Sequence, residues 1–391
     1  MTEAVVLALN SGSSSLKFGL YRVLEDELQC LLAGEAENIG DATARFRAED
    51  GQGRKLLNEA LTITDQQTAV LRIARFLSDS KAPSPVAIGQ RIVHGGPHLR
   101  AHAVIDAAVL AQLEAATAFA PLHTPAALAV IRFAAEHFPG LPQVACLDTQ
   151  FHARMPPVAS TLPLPASLRA AGLQRYGFHG LSCESIIRQL GPDLPPRLLI
   201  AHLGNGASIT AVQGGLSLDT SMGLTPTGGL IMGTRSGDLD PGVLVHLMRA
   251  MKLDADTIEQ LVDHRSGLSG ISGLSGDMRA LHAAAGTNSE AKLAIDMFCY
   301  AAAKQIGAMS TVLNGVDLLV FTGGIGEHDS VVRAAICVRL ACLGIELDEV
   351  RNGLGQATIS RKSSRCAVQV LRSQEDEQIA RHTAALCRVV S

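Results

Sequence analysis

The stretch Ala4-Val5-Val6-Leu7-Ala8-Leu9-Asn10-Ser11-Gly12-Ser13-Ser14-Ser15-Leu16-Lys17 sets the fold. Ala4 to Leu9 is mostly apolar, as a buried strand should be. Asn10 to Ser14 are small hydrogen-bonding residues that suit a tight turn, and Ser15 to Val23 return as a second strand with partial alternation. The phrase comes back in mid-chain. Leu198 to His202 reads as a buried strand, Leu203-Gly204-Asn205-Gly206-Ala207 as the turn, and Ser208 to Val212 as the returning strand. Laid over each other at an offset of 193, Ser15 falls on Ser208. In a chain of 391 residues that offset is near half the length, and it points to two copies of one domain facing each other across a cleft.

Around these hairpins the sequence alternates helices and short strands. Thr124 to His137 begins with Pro125 in its first turn and stops before Pro139-Gly140. Glu290 to Leu313 has helical periodicity and ends at Asn314-Gly315. Val86 to Ile88 and Leu318 to Phe321 are short apolar strands. This alternation predicts an α/β protein.

Composition removes several function classes. At 47% hydrophobic and 18% charged, the chain can bury sizeable cores and is not a disordered protein. Aromatics are 3%, too few for a base-stacking platform, and 33 Lys and Arg against 37 Asp and Glu give a net charge of −4. Neither a nucleic-acid phosphate backbone nor a membrane surface finds a basic field here. No segment has the length of a transmembrane helix and the N-terminus lacks signal-peptide character, so the expectation is a cytoplasmic protein. The eight cysteines form no CxxC pair and read as buried free thiols.

Five Gly-rich loops offer backbone N–H groups that phosphate oxygens could approach: residues 10–15, His94-Gly95-Gly96-Pro97, Gly204-Asn205-Gly206, residues 223–237 and Gly323-Gly324-Ile325-Gly326. Each alone could be no more than a turn. No GxxxxGK[ST], complete GxGxxG, GxSxG or HExxH occurs, which leaves P-loop, Rossmann, hydrolase-elbow and zincin readings unsupported. Arg235, among Thr234 and Ser236 in the densest polar segment, suits a clamp on carboxylate or phosphoryl oxygens. His94, His123, His179 and His202 sit beside glycines, prolines or a strand end, and His202 reads as a support for its loop. Asp148, at a strand end, is a candidate for a Mg²⁺ role. Glu375, in Glu375-Asp376-Glu377, could serve likewise or could simply open a solvated helix.

Taken together and in order, several phrases resemble the acetate kinase (acetokinase) family. They are Asn10 to Lys17, Arg91-Ile-Val-His-Gly-Gly96, Asp148-Thr-Gln-Phe-His152, Tyr176-Gly-Phe-His-Gly180, His202 to Gly206, residues 220–238 and Phe321 to Glu327. The family lies in the acetate and sugar kinase/heat-shock chaperone/actin superfamily. The resemblance implies two duplicated ribonuclease-H-like α/β domains around a central cleft, assembled as a homodimer. The first domain would span 1–147, with a helix over 379–391 packing back onto it. The second, 148–378, would bind nucleotide and form the dimer.

By the same resemblance, Asn10 and Glu375 are expected at a Mg²⁺ site, with Mn²⁺ able to substitute. Arg91 and Arg235 would hold the acyl carboxylate and the moving phosphoryl group. His179 would donate a hydrogen bond to the transition state, His123 would lie near the transferred group, and Asp148 would be the essential aspartate. Lys17, His202, Leu203, Gly204, Asn205, Gly206, Ser275, Gly276, Asp277, Met278, Arg279, Gly323, Gly324, Ile325, Gly326 and Glu327 would contact ATP or ADP. Val93, Leu122, Phe178 and Pro226 would form a small apolar pocket for the acetate methyl. Two departures stand out: Met278 where many members carry Phe, so that a thioether would meet adenine, and Ser373-Gln374-Glu375-Asp376 in place of Thr-Asn-Glu-Glu. Rival readings are a propionate or other short-chain acyl kinase and, from another class, a non-catalytic ATP-gated binding protein on the same fold. A sugar kinase would need a polar hydroxyl pocket that the apolar set does not provide.

Overall fold

The computed structural model describes residues 4–12, 14–25, 27–121 and 123–389. Two compact units emerge. The first comprises Met1–Ala153, Gly180–Ser185 and Gln374–Ser391, and the second Arg154–His179 and Ile186–Ser373. The C-terminal helix of the first unit starts at Glu375, four residues before the expected 379.

The first unit holds eight strands: β1 (Val5–Ser11), β2 (Leu16–Val23), β3 (Leu28–Glu37), β4 (Arg45–Asp50), β5 (Lys55–Ala60), β6 (Ala87–Ile92), β7 (Ala103–Val104) and β8 (Gln143–Leu147). Their order is β5-β4-β3-β2-β1-β6-β8-β7. β1 to β5 form an antiparallel meander, β6 and β8 run parallel to β1, and β7 is antiparallel to β8. Every residue of β1 is buried, as expected of a central strand covered on both faces.

Alternate β1 residues feed two cores. Val5, Leu7 and Leu9 join Phe18, Phe46 and the helix Gln66–Asp79. Phe18 and Phe46 stack at 5.9 Å between centroids and Phe76 meets both edge-on. Val6 and Ala8 join Val144, Cys146 and the C-terminal helix Glu375–Leu386 through Ile379, Ala380 and Ala384. Fully burying each Leu, Ile or Phe contributes about 1.5–3 kcal/mol before entropy is counted. That helix lies so close to the sheet that a Cβ on Gly89 would sit 2.2 Å from Thr383 Oγ1 and 2.5 Å from Ile379 Cγ2.

The second unit holds β9 (Leu198–Leu203), β10 (Ala207–Gln213), β11 (Leu216–Thr220), β12 (Leu318–Thr322) and β13 (Ala367–Val370), ordered β11-β10-β9-β12-β13. The first three are antiparallel, and β12 and β13 run parallel to β9. The helix Ser289–Val312 buries Ala294, Phe298, Ala302 and Ile306, one stripe at four-residue spacing.

Both sheets therefore share one plan: three antiparallel strands ordered third, second, first, then two strands parallel to the first. β3-β2-β1-β6-β8 and β11-β10-β9-β12-β13 are two copies of it. The turn lengths differ, however. Ala8 pairs with Gly19 and Ala201 with Ile209, so the return strands match at an offset of 190, three residues off the 193 of the outgoing strands. Ser208 thus corresponds to Phe18 and not to Ser15: the second turn is three residues tighter.

Candidate active site

The first unit brings charge to the ends of its central strands. Asn10 and Arg91 each lie one residue before the end of their strands, β1 and β6, and Asp148 follows β8 directly. Arg91 donates to Asp148 Oδ2 from Nε at 2.9 Å and from Nη2 at 2.6 Å, and to Asn10 Oδ1 from Nη1 at 3.2 Å. Asn10 Nδ2 then donates to Glu375 Oε2 at 3.2 Å and to Asp376 Oδ1 at 2.7 Å, both at the start of the C-terminal helix. One amide thereby links an arginine to a pair of carboxylates.

Burial pushes the Asp148 carboxyl up to about 6; Arg91 works against the rise and Glu375 adds to it. Burial also raises Asp376. For Arg91, burial pulls downward, and Asp148 and Glu375 more than reverse it. Lys17, opposite Asn10 in the β1–β2 ladder, is raised as well: burial lowers it, and Glu35, Asp376 and Glu375 outweigh that.

This set fits a hard divalent cation. Asp148 Oδ1 is buried with no hydrogen-bond partner among the described residues. Glu375 and Asp376 supply further carboxylate oxygens, the ligand type Mg²⁺ takes alongside phosphates and waters. Asn10 gives its NH₂ to the carboxylates and its oxygen to Arg91, so ligation through Oδ1 would require the amide to turn over. Asp376 was not singled out as a site residue from sequence. The acidic run does open a helix, yet Asp376 is only half exposed and is bound to Asn10.

The second unit gathers histidines, an arginine and glycine turns. His179 precedes the helix Gly180–Leu190 with φ +60° and ψ 26°, a left-handed backbone that is costly for a non-glycine residue. Its Nδ1 lies 3.0 Å from Ser208 Oγ, a partner the sequence did not reveal. Its ring stacks on His202, with centroids 4.1 Å apart and planes at 21°. Gly206 lies beside both His179 and Arg235: a Cβ there would come within 3.1 Å of His179 Nε2 and 3.4 Å of Arg235 Nη1. Arg235 Nη1 also donates to Pro226 O at 3.3 Å. Phe178 and Pro226 are buried.

Three loops of this unit meet at Gly233. A Cβ on Gly233 would lie 2.3 Å from Asn205 Oδ1 and 3.4 Å from Gly276 O, so only glycine lets the β9–β10 turn, the 220–238 segment and the 275–279 turn pack so closely. Thr234 Oγ1 to Asp263 O at 2.7 Å and Gly229 N to Asp238 Oδ1 at 2.7 Å fix the long segment.

Two of the residues expected at the nucleotide also make contacts within this unit. Met278 is buried at 4% exposure on the helix Met278–Ala284, so its thioether packs inside the unit; Asp277 and Arg279 are what this turn exposes. Glu327 Oε1 accepts from Gly323 N at 3.1 Å and Ser373 N at 2.8 Å, closing the helix start after β12. Arg333, fully buried and not noticed in the sequence, braces that turn from behind through Gly326 O and Glu327 O, both at 2.9 Å.

In the first unit, Val93 is buried and His123 sits half-buried at the N-terminus of the helix Thr124–His137. His94 is fully buried, and its Nδ1 accepts from Gly96 N at 2.8 Å, a turn-holding role. Leu122 and Ser13 lie outside the described residues. The eight cysteines are free thiols; Cys342 is exposed, contrary to the expectation of burial, and Cys30 and Cys387 are half-buried. No helix among the described residues is long and apolar enough to cross a membrane.

One copy of the five-strand plan ends in a carboxylate–arginine cluster and the other in glycine turns with histidine and arginine. Residues 5–381 match the model of the acetokinase family. An acetate kinase of Methylocella silvestris is 41% identical, covering 97% of this chain and 97% of its own length. Among solved structures, a propionate kinase from Francisella tularensis has a TM-score of 0.90 at 38% identity, covering 98% of this chain and 100% of its own. An acetate kinase from Porphyromonas gingivalis has a TM-score of 0.85 at 36% identity, with the same coverage. The chain belongs to the acetokinase family.

Proposed function

We propose that this protein is an acetate kinase, transferring the γ-phosphoryl group of ATP to acetate by direct in-line attack and giving acetyl phosphate and ADP, reversibly. The family match carries the reaction type. The observation that carries the chemistry is the pair of arginines, each set among oxygen or histidine partners at a strand end or glycine turn. A plain ATP switch has no need of two anion clamps.

Phosphoryl transfer of this kind rests on positioning and on neutralising charge spread over the equatorial oxygens. In this reading Arg91 holds the acetate carboxylate, while Arg235 and His179 donate to the phosphoryl oxygens. The acetate carboxylate is already ionised at pH 7 and needs no general base. Asp148 therefore acts on the cation side: with Glu375, Asp376 and Asn10 it would hold Mg²⁺ or its waters. The bound ion supplies charge neutralisation for the phosphates. Val93, Phe178 and Pro226 would enclose the methyl group, and His123 would sit near the transferred group. The turns at Gly204 to Gly206 and Gly323 to Gly326, the exposed Asp277 and Arg279, and Lys17 would receive the nucleotide.

A short-chain acyl kinase acting on propionate is the second reading, favoured by the likeness to the Francisella tularensis propionate kinase. One methylene in an apolar pocket is worth about 1–3 kcal/mol. The test is hydroxylamine trapping of the acyl phosphate formed from Mg-ATP with acetate, propionate and butyrate. A steep fall in kcat/KM beyond acetate is expected; equal or better use of propionate moves the assignment to the second reading.

A homodimer belongs to the same proposal. Leu293, Met297 and Tyr300 are exposed along one face of the helix Ser289–Val312, an apolar stripe suited to a second copy. Light scattering that gives a monomer at micromolar concentration would refute it.

A further inference from the structure

Behind Asp148 lies a cluster that this chemistry does not use. β7 is two residues long, and its ladder with β8 pairs Ala103 with Ala145 and Val104 with Val144. Further along β8, Leu147 has an N–H on that same side with no strand among the described residues to take it. A side chain substitutes: Leu147 N donates to His102 Nδ1 at 2.9 Å. The backbone N–H of His102 in turn donates to Gln150 Oε1. His102 therefore grips the chain one residue before Asp148 and two residues after it. The backbone of Asp148 is fixed by its N–H to Ile92 O and by Gly180 N to its carbonyl, both at 2.9 Å.

An Nδ1 that accepts a hydrogen bond leaves the ring proton on Nε2. His102 is 5% exposed in its side chain, and burial lowers its pKa, so the ring is neutral near pH 7. Nε2 has no hydrogen-bond partner among the described residues and faces Glu184 Oε2 at 3.8 Å. That oxygen is itself held by His382 Nε2 at 2.6 Å. The ligating atoms of His102, Glu184 and His382 lie within 4.8 Å of one another, a spacing a metal could use. The Leu147 N–H argues against that use, because it occupies the lone pair on Nδ1 and leaves Nε2 with a proton and none to offer a cation.

We propose that His102 is a positioning residue for Asp148, and that the Glu184 carboxylate keeps the proton on Nε2 so that Nδ1 remains the acceptor for the Leu147 N–H. Its kinetic consequence rests on the acyl-kinase reading above; its structural content does not.

Two substitutions separate the ring nitrogens. His102→Asn sets an amide oxygen near the Nδ1 position, and His102→Gln sets one near the Nε2 position. His102→Asn should keep kcat within about threefold of wild type, and His102→Gln should lower it about tenfold or more, with KM for ATP within about twofold in both. Equal losses in the two variants, or wild-type kcat in His102→Gln, would overturn the proposal. Should a variant fail to fold, the ¹⁵N-labelled imidazole of the wild-type protein gives the answer by NMR. A neutral Nε2–H tautomer supports the proposal and an Nδ1–H tautomer overturns it. A wild-type protein that makes no acyl phosphate yet carries the Nε2–H tautomer would sink the acyl-kinase reading alone.

Discussion

The two hairpins are built alike and end differently. The β1–β2 turn runs from Ser11 to Leu16, and beside it Asn10 reaches two carboxylates and an arginine. The β9–β10 turn, three residues tighter, runs from Leu203 to Ala207 and is mostly glycine beside His179 and Arg235. One is an ion-pair cluster suited to a cation, and the other a set of hydrogen-bond donors suited to an anion. The shared strand order supplies two equivalent strand ends; the turn length and a few side chains decide what each end can hold.

That contrast can be broken most severely at the arginines. Arg91→Ala and Arg235→Ala should each lower kcat about 10²- to 10³-fold, as loss of an oriented donor does. They should differ in stability. Arg91→Ala leaves the buried Asp148 without its partner and should cost about 3–5 kcal/mol in urea unfolding. Arg235→Ala should cost far less and leave ATP binding near normal by calorimetry. Equal destabilisation by both would erase the distinction between the hairpins.

Gly206→Ala tests the tight turn alone. Its Cβ would crowd His179 and Arg235 together. A fall in kcat of about ten- to a hundredfold, with the unfolding midpoint nearly unchanged, is the expected outcome. Gly89→Ala tests the other unit through packing, by pushing Thr383 and Ile379 off the sheet. About 1–3 kcal/mol of destabilisation should follow, since overpacking costs that much. No loss would mean that the C-terminal helix is free to shift.

The smallest effect is in the pH dependence. Asp148 is raised from its ordinary 3.8 to about 6, so between those values the folded protein holds a proton that the unfolded chain has released. The group costs stability above about pH 6, and that cost fades as the pH falls toward 3.8. If the ionised form serves the cation, kcat/KM should fall on the acid side near pH 6. Glu375→Gln, which removes a charge that raises Asp148, should move that limb to lower pH. A limb that stays put would assign it to another group.

Much of the fold was legible because apolar strands joined by small residues write hairpins plainly. The helix Thr124–His137 falls where the sequence puts it, the strands of both hairpins fall within two residues of their expected bounds, and the second helix differs by one residue at each end. The register of the repeat was not legible. A three-residue difference in turn length leaves the apolar pattern intact and shows only in the ladder. At the site, arginines and glycine turns announced themselves by residue type. Asp376, Ser208 and Arg333 did not, since a half-exposed acid in a charged run, a serine in a strand and an arginine in a helix have ordinary local signatures. Their partners are brought to them only by the tertiary fold. Met278 shows the reverse: its position in a motif spoke for ligand contact, while the burial of its side chain has no local signature in the sequence.

The most direct test of the central claim is acyl-phosphate formation from Mg-ATP and acetate by the wild type, Arg91→Ala and Arg235→Ala side by side, with ATP binding measured on each. The wild type should turn over, both variants should lose about 10²-fold or more, and Arg235→Ala should retain its ATP affinity. Wild-type turnover in either variant, or none in the wild type despite ATP binding, would contradict it.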